Sequence, residues 1–201
     1  IRELDYYRQG RFMELDLASR RNLELTETLR GKEKKGSLLW VLDKTKTPMG
    51  ARMLRGWLER PLLSVTDIDR RSGAVAALVN DTIRREELIA GMTGLGDMER
   101  LIGRIVYGTA GGRDMVSLRA AIEKLPNLKV QLSAFSDRRL TELTEAMDTL
   151  DDIGGDIAAT VCDEPPFSVR EGGIIRDGCN EEVDRLRHIL KSGKGVIAEM
   201  E

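Results

Sequence analysis

His188 is the only histidine of the chain. Metal sites that need two imidazoles are therefore excluded, including the helical-bundle di-iron site, which requires Glu-x-x-His twice. Even one copy of that pattern is missing, because the residue three positions before His188 is Arg185. We interpret His188 as a solvated or partly packed helix residue, and we predict no catalytic residue, metal ligand or bound cofactor in this chain.

Two glycine-containing loops have to be considered as phosphate-binding sites. Gly31 and Gly36 have the spacing of a P-loop, but the next residue is Ser37, where a P-loop needs Lys to reach the β- and γ-phosphates. The loop Gly108–Gly112 also lacks a following Lys-Ser or Lys-Thr pair. We interpret the first loop as a mobile, charged turn and the second as a connection between helices.

The densest basic region holds five arginines, whose forked guanidinium groups could contact the phosphate oxygens of a DNA backbone. They are Arg52, Arg55, Arg60, Arg70 and Arg71. Solvated helix faces have the same composition, and Glu59, Asp67 and Asp69 would partly neutralise a basic patch. Both interpretations therefore stay open. Trp40 and Trp57 could stack on bases, but their apolar neighbours favour positions in the core.

The composition favours a helical fold in water. Of the 201 residues, 41% are hydrophobic and 33% are charged, which is typical of amphipathic helices with wide solvated faces. The net charge of -2 argues against a phosphate-binding surface over the whole chain. The longest uncharged stretch, Ser72–Asn80, is too short to span a membrane, so no membrane partner is expected.

The first residue and the cysteines indicate whether the chain is a piece of a longer protein and in which compartment it is found. It begins with Ile1 and not with Met, and it has no basic, apolar leader, which predicts a piece of a longer protein without a signal peptide. Cys162 and Cys179 do not form a Cys-x-x-Cys pair. A reducing compartment is therefore expected, and with it a cytoplasmic location.

Apolar periodicity predicts helices in the first half. Thr47 can cap a helix that starts at Pro48, and the stripe that follows is predicted to be buried until Pro61 ends it. The stripe consists of Met49, Met53, Leu54, Trp57 and Leu58. Thr66 is predicted to cap the next helix, which has a second apolar stripe. That stripe consists of Ile68, Val75, Leu78 and Val79.

The second half is also predicted to be mainly helical. Asp114 is expected to cap a helix that Pro126 stops, and the spacing of Leu140, Leu143, Met147 and Leu150, continuing toward Val161, predicts one long helix. Segments 167–170 and 174–175 form the best candidate for a short strand or hairpin, with a weaker β signal near 12–15. Asn180 is predicted to cap the last helix. The predicted fold class is mainly all-α, with at most a small β element near 168–175.

Five collinear motifs resemble the core domain of the MutS family of DNA mismatch repair ATPases. The first is Leu15–Leu25. The second runs through Gly36-Ser37-Leu38-Leu39, Val41-Leu42-Asp43, Thr47-Pro48-Met49-Gly50, Arg52 and Trp57-Leu58 to Pro61-Leu62. The third is Asp97–Leu101 with Gly103-Arg104, and the fourth is Arg113-Asp114 followed by Leu125-Pro126. The fifth contains Pro165-Pro166, Gly172–Ile175, Gly178 and Glu182–Asp184.

The resemblance implies a multi-helical core with long lever helices that connects an ATPase domain to mismatch-binding and DNA-clamp domains. Residues 1–14 would enter from a preceding domain, 15–178 would form the core, and 179–201 would begin a lever helix toward the clamp. The family binds ATP and magnesium, mismatched duplex DNA, a second MutS subunit and a MutL-type partner. None of its catalytic residues is expected in this chain. Phe12-Met13-Glu14 matches the family's mismatch-reading tripeptide in letters but lies at the entry to the core, so we reject it as the wedge.

The signature residues are candidates for transmitting movement between domains, although ordinary stabilisation of the fold would account for each of them equally well. They are Gly36, Leu42, Asp43, Thr47, Pro48, Gly50, Arg52, Trp57, Asp97, Arg100, Arg104 and Asp114. Asp97, Arg100 and Arg104 are spaced so that they could pair along one helix. An alternative function is an all-helical protein-interaction scaffold unrelated to repair. If the lever has lost its partner helix, Ile189, Ile197 and Met200 are expected to be uncovered.

Overall fold

The computed structural model of the chain describes residues 10–198, with the backbone alone for 191 and 193–198. Almost all of its regular structure is helical, which confirms the predicted fold class. The helices are α1 (Leu17–Asn22), α2 (Leu38–Leu42), α3 (Pro48–Glu59), α4 (Val65–Asn80), α5 (Thr82–Met92), α6 (Met98–Val106), α7 (Gly112–Ile122), α8 (Leu125–Ser133), α9 (Arg138–Ala146), α10 (Asp151–Thr160) and α11 (Glu181–Ala198).

The chain divides into two compact units. The first comprises the described residues up to Glu99 together with Lys124–Thr149. In it α4 packs on α5 and α9, α8 packs on α5 and α9, and α2 packs on α3. The buried side chains of Ala74, Phe135 and Leu140 form a core cluster between α4 and α9, and Leu78 and Leu132 pack around it.

The second unit comprises Arg100–Glu123 and the described residues from Leu150 onward. Its main contact joins α7 to α10. Ile122 is 2% exposed, and a Cβ on Gly154 of α10 would lie 3.0 Å from its Cγ2 atom. A glycine at this position therefore lets the two helices approach closely.

Two predicted helix starts are confirmed and two are wrong. Thr47 accepts a hydrogen bond from the Gly50 N–H at 3.1 Å, and Asn180 accepts from the Glu182 and Val183 N–H groups at 3.0 Å. Thr66 is not the cap of α4. The cap is Ser64, two residues before Thr66, whose hydroxyl accepts a hydrogen bond from the Asp67 N–H. Asp114 is likewise not the cap of α7: Gly111 holds that position, and Asp114 lies in the first turn.

The predicted end of α7 is also wrong. Pro126 does not stop α7, since α7 ends at Ile122 and Pro126 lies in the first turn of α8, where its missing N–H is tolerated.

The long helix predicted from Leu140 to Val161 is interrupted. The backbone leaves helical geometry at Met147, and Leu150 has a φ of 56°. In a continuous helix the Met147 carbonyl would accept a backbone hydrogen bond. It instead accepts a hydrogen bond from Lys129 Nζ at 2.6 Å. Apolar spacing continues across the break because α9 and α10 each need a buried face.

The strand predicted at 167–170 is wrong as well. Val169–Glu171 form a 3-10 turn, which Ser168 and Glu171 stabilise by a reciprocal capping box. Extended pairing is limited, in the described residues, to two isolated antiparallel bridges. Ile175 pairs with Val161, within the predicted β element, and Phe12 pairs with Leu62 at the weaker site.

The apolar stripe of α3, which was predicted to be buried, is only partly buried, and the stripe of α4 is likewise half-exposed. Leu54, Leu58 and Leu78 are half-buried, and Leu78 packs on the core cluster. Met53 is 59% exposed, Val75 is 57% exposed, and Trp57 and Trp40 are 42% and 47% exposed, so neither tryptophan is a core residue. Periodicity identifies a face that prefers to be covered, but it does not identify the covering group. Ile189, predicted to be uncovered, is 51% exposed, whereas the side chains of Ile197 and Met200 lie outside the described residues.

Candidate functional site

The signature begins at a turn that places α2. Gly36 has a φ of 97°, a conformation that favours glycine, and the Ser37 side chain that follows it is fully buried. Ser37 accepts from the Trp40 N–H at 3.2 Å and so caps α2. The Leu39 N–H donates to the Leu25 carbonyl at 2.9 Å, which ties the first motif to the second.

Asp43 ends α2 and collects two hydrogen bonds on its carboxylate. Lys34 Nζ donates to Oδ2 at 2.6 Å, and the Thr45 hydroxyl donates to Oδ1 at 2.6 Å. These bonds, Lys34 first, lower the pKa of Asp43 from its ordinary value of 3.8 to about 2. The ionised carboxylate thereby fixes the turn between α2 and α3. Leu42, the preceding signature residue, is exposed.

Replacing Lys34 with Gln is expected to raise the pKa of Asp43 toward 3.8, because the largest cause of its depression is removed. The depressed pKa means that Asp43 contributes stability above pH 4 and loses it as the pH falls toward 2. NMR titration of the Asp43 side-chain carboxyl carbon measures the pKa in the unaltered protein and in the variant. Lys35→Gln serves as the control, and an Asp43 titration that is the same in K34Q and K35Q would contradict the assignment.

Thr47, Pro48 and Gly50 form the first turn of α3. Pro48 occupies the first helical position, where its missing N–H costs nothing. A Cβ on Gly50 would lie 3.1 Å from the Thr47 hydroxyl oxygen, so a larger residue would crowd the cap. The turn sets the direction of α3 and thus of Arg52, one turn further along the helix.

Arg52 is bound by two carboxylates at the start of α6. Its Nη1 and Nη2 atoms donate to Asp97 at 2.8 and 2.7 Å, and Nε and Nη2 donate to Glu99 Oε2 at 3.1 and 2.6 Å. The Asp97 and Glu99 hydrogen bonds raise the pKa of Arg52 above its usual value. Asp97 is 19% exposed, whereas Arg52 is 48% exposed. This bidentate clamp joins α3 to α6 across 45 residues of sequence.

Arg104 makes a second clamp on α6. Its Nη1 atom donates to Asp114 Oδ1 at 2.8 Å, and Asp114 Oδ2 accepts from the Gly111 N–H at 2.8 Å. The loop between them turns at Gly108, whose φ is 68°. Asp114 thus holds the start of α7 and the end of α6 together. Arg100, the third residue of the predicted stripe, is exposed on α6.

The other arginines of the basic region have different neighbours. Arg55 pairs with Glu59 at 2.8 Å along α3, and Arg70 pairs with Glu142 of α9. Arg71 lies over the Trp57 ring, 3.9 Å from its centroid. Arg60 also has an interaction partner. Carboxylates therefore neutralise much of the predicted patch.

The described part of the chain has neither a metal-binding cluster nor a membrane-spanning helix. No three His, Cys, Asp or Glu residues there are grouped so that they could hold a metal ion. No helix among the described residues is both long and apolar enough to cross a bilayer.

A family model described as MutS domain III matches residues 18–200. This chain belongs to the MutS domain III family. The resemblance of the five motifs is thereby confirmed. Most of the signature residues of this MutS domain III chain lie at helix caps, turns and ion pairs between elements, which accounts for their residue types. Leu42, Trp57 and Arg100 are instead exposed helix residues.

Curated relatives match the MutS domain III chain over nearly its whole length. The DNA mismatch repair protein MutS of Alkaliphilus oremlandii is 46% identical over 100% of this chain, which is 23% of that protein. The MutS proteins of Symbiobacterium thermophilum and Brevibacillus brevis are also 46% identical, over 98% and 100% of this chain and 23% of each protein. The chain thus spans less than a quarter of the length of these relatives.

Sequence reasoning missed an arginine network in the second unit of this MutS domain III chain. Arg119 and Arg176 both donate to Asp163 Oδ1, at 2.9 and 3.0 Å, and hydrogen bonds from Arg119 and then Arg176 lower the pKa of Asp163. Arg113 Nε donates to the Pro165 carbonyl at 3.2 Å. The only sequence signal for these contacts was that their residues lie within or beside the fourth and fifth motifs.

Proposed function

We propose that this chain is the core domain of a DNA mismatch repair ATPase and that it couples the ATPase domain mechanically to the mismatch-binding and DNA-clamp domains. Membership of the MutS domain III family supports the first part of the proposal. The longer protein would hydrolyse ATP with magnesium in another domain, in the cytoplasm. Its partners would be mismatched duplex DNA, a second MutS subunit and a MutL-type protein. The family match favours this function over an unrelated scaffold.

The observation that carries the coupling proposal is the double clamp of Arg52 on Asp97 and Glu99. Coupling between distant sites needs packed elements that move together, and ion pairs with several hydrogen bonds can impose that. Arg52 ties the helix of the longest signature to the start of α6. Within the second unit, Arg104 and Asp114 connect α6 to α7. These five residues are proposed as positioning residues, and none of them would take part in the chemistry.

Helix α11 would be the start of the lever that leaves the core. It begins at a well-formed cap on Asn180, and Arg187 fixes its first turns by bonds to Asp177 at 2.6 Å and to the Ile175 carbonyl at 2.6 Å. A lever transmits movement only if its base is held rigidly. The two Arg187 bonds provide such a base within the second unit.

Alanine variants of the α6 arginines test the proposal in the longer protein. ATP-driven release from a mismatched duplex is expected to slow in Arg104→Ala and Arg100→Ala, by about fivefold or more, which is the lower range of coupling between sites. ATP hydrolysis by the variants without DNA is expected to change less, because its residues lie elsewhere. Arg138→Ala, which removes an exposed pair within α9, is the control. Unaltered release in both α6 variants would remove α6 from the coupling route.

A further inference from the structure

Asp163 lies where three parts of the second unit meet: α7, the end of α10 and the segment 174–176. It follows α10, which ends at Thr160, and its side chain is 63% exposed. Arg119 of α7 donates to its Oδ1 atom at 2.9 Å, and Arg176 donates to the same atom at 3.0 Å. One carboxylate oxygen therefore holds two guanidinium groups that come from distant parts of the sequence.

The negative charge of Asp163 strengthens both bonds. Hydrogen bonds between charged groups are shorter and stronger than those between neutral groups. The bonds from Arg119 and then Arg176 lower the pKa of Asp163, so its carboxylate is ionised at neutral pH. Arg119 is only 17% exposed, and a largely buried guanidinium group needs a partner, because an uncompensated buried charge is costly. Glu123 also pairs with Arg119, at 3.4 Å, but it lies at the end of the same helix and connects no second element.

Two segments, 160–162 and 174–176, form a short antiparallel pair beside Asp163. Backbone hydrogen bonds of 2.7 and 2.9 Å join them. Arg176 Nη2 also donates to the Val161 carbonyl at 3.3 Å. The Arg176 side chain therefore contacts both this pair and Asp163, and the Asp163 carboxylate fastens the pair to α7.

The base of α11 is attached to the same part of the chain. Arg187 of α11 donates to the Ile175 carbonyl at 2.6 Å, and its Nη1 atom donates to Asp177 at 2.6 Å. The first turns of α11 therefore follow the position of Ile175. Because Ile175 belongs to the pair beside Asp163, a series of hydrogen bonds leads from α7 through the Asp163 carboxylate to α11.

We propose that Asp163 is a positioning residue for α11, whose carboxylate holds the segment 174–176, and with it the base of that helix, against α7. The consequence for the longer protein rests on the proposed coupling function, in which α11 begins the lever. Loss of the charge would release the segment from α7. The contact of α7 with α10 would stay in place, because it depends on the close packing of Ile122 on Gly154.

The distance between spin labels on α7 and α11 tests the proposal in the 201-residue chain. Labels at Ala120→Cys and His188→Cys lie at exposed positions, in a background whose two native cysteines are replaced by serine. Asp163→Asn keeps the shape of the side chain, removes its charge, and is expected to broaden the distribution of distances. Asp163→Glu keeps the charge, alters the shape, and is expected to leave the distribution narrow.

Glu164→Gln is the matched control, since it removes one negative charge at the next, exposed position of the chain. An unchanged distribution in D163N, or equal broadening in D163N and E164Q, would overturn the proposal. Equal broadening in D163N and D163E would assign the effect to shape and would also overturn it. If D163N folds poorly, Arg176→Gln takes its place, because Arg176 is 40% exposed; an unchanged distribution in R176Q would then overturn the proposal.

A second measurement separates this inference from the proposed function. In the longer protein, D163N is expected to slow ATP-driven release from mismatched DNA by about fivefold, the lower range of coupling between sites. A broadened distribution with unaltered release would support the positioning of α11 and contradict the coupling function. Slower release with an unchanged distribution would overturn the positioning role of Asp163.

Discussion

The Phe135→Ala variant is expected to lose about 3–5 kcal/mol of unfolding free energy, the usual cost of removing a buried phenylalanine. Phe135 is 6% exposed and packs with Ala74 and Leu140, with Leu78 and Leu132 around them. Truncation would leave a cavity between α4 and α9 that rigid helix backbones fill only in part. This is a large fraction of the stability of the first unit, because whole domains are stable by only about 5–15 kcal/mol.

Urea denaturation followed by tryptophan fluorescence measures this loss. Trp40 and Trp57 both belong to the first unit, so their fluorescence reports the unfolding of the unit that contains Phe135. Phe167→Ala is the matched control, since Phe167 is 82% exposed and its recorded ring contact is with Arg113 at 5.5 Å. Its cost is expected to stay below about 1 kcal/mol. Similar losses in the two variants would contradict the core described for the first unit.

The Arg52→Ala variant is expected to slow ATP-driven release of the longer protein from mismatched DNA by about tenfold, within the usual range of coupling between sites. The substitution removes four hydrogen bonds at once and leaves Asp97, which is only 19% exposed, without its guanidinium partner. The expected loss of unfolding free energy is small, because Arg52 is half-exposed and solvent screens the pairs. The domain therefore stays folded, and a change in release reports on coupling.

Arg55→Ala provides the comparison for Arg52→Ala. Arg55 lies on the same helix, is similarly exposed, and pairs with Glu59 of its own helix at 2.8 Å. Loss of a pair within one helix leaves the connection from α3 to α6 intact. Release by R55A is expected to match that of the unaltered protein, and equal slowing in both variants would show that the charge of α3, and not the clamp, is responsible.

Local sequence signals predicted much of the helical fold. A threonine before a proline identified the start of α3, and Asn180 identified the start of α11, because capping depends on residues within three positions of each other. The same locality explains the failures. Ser64 and Thr66 are both suitable caps, and the local sequence does not distinguish between them; in the structure Ser64 is the cap.

Long-range contacts could not be predicted from the periodicity and spacing of the residues. The apolar residues of α3 and α4 were correctly identified as stripes, but their burial depends on which segment covers them. At the break, the Met147 carbonyl accepts a hydrogen bond from Lys129, eighteen positions earlier in the chain, which spacing alone does not reveal. Arg52 was identified as a signature residue, yet its partners Asp97 and Glu99 belong to another motif and could be assigned only from the structure.

The most direct test of the proposed coupling is a charge swap across the Arg52 clamp in the longer protein. Stopped-flow measurement of ATP-driven release from mismatched DNA would compare Arg52→Glu, Asp97→Arg and the double variant. Each single variant is expected to release slowly, because like charges face each other at the clamp, and the double variant is expected to recover most of the rate. Release at the unaltered rate in R52E, or equally slow release in the double variant, would contradict the account.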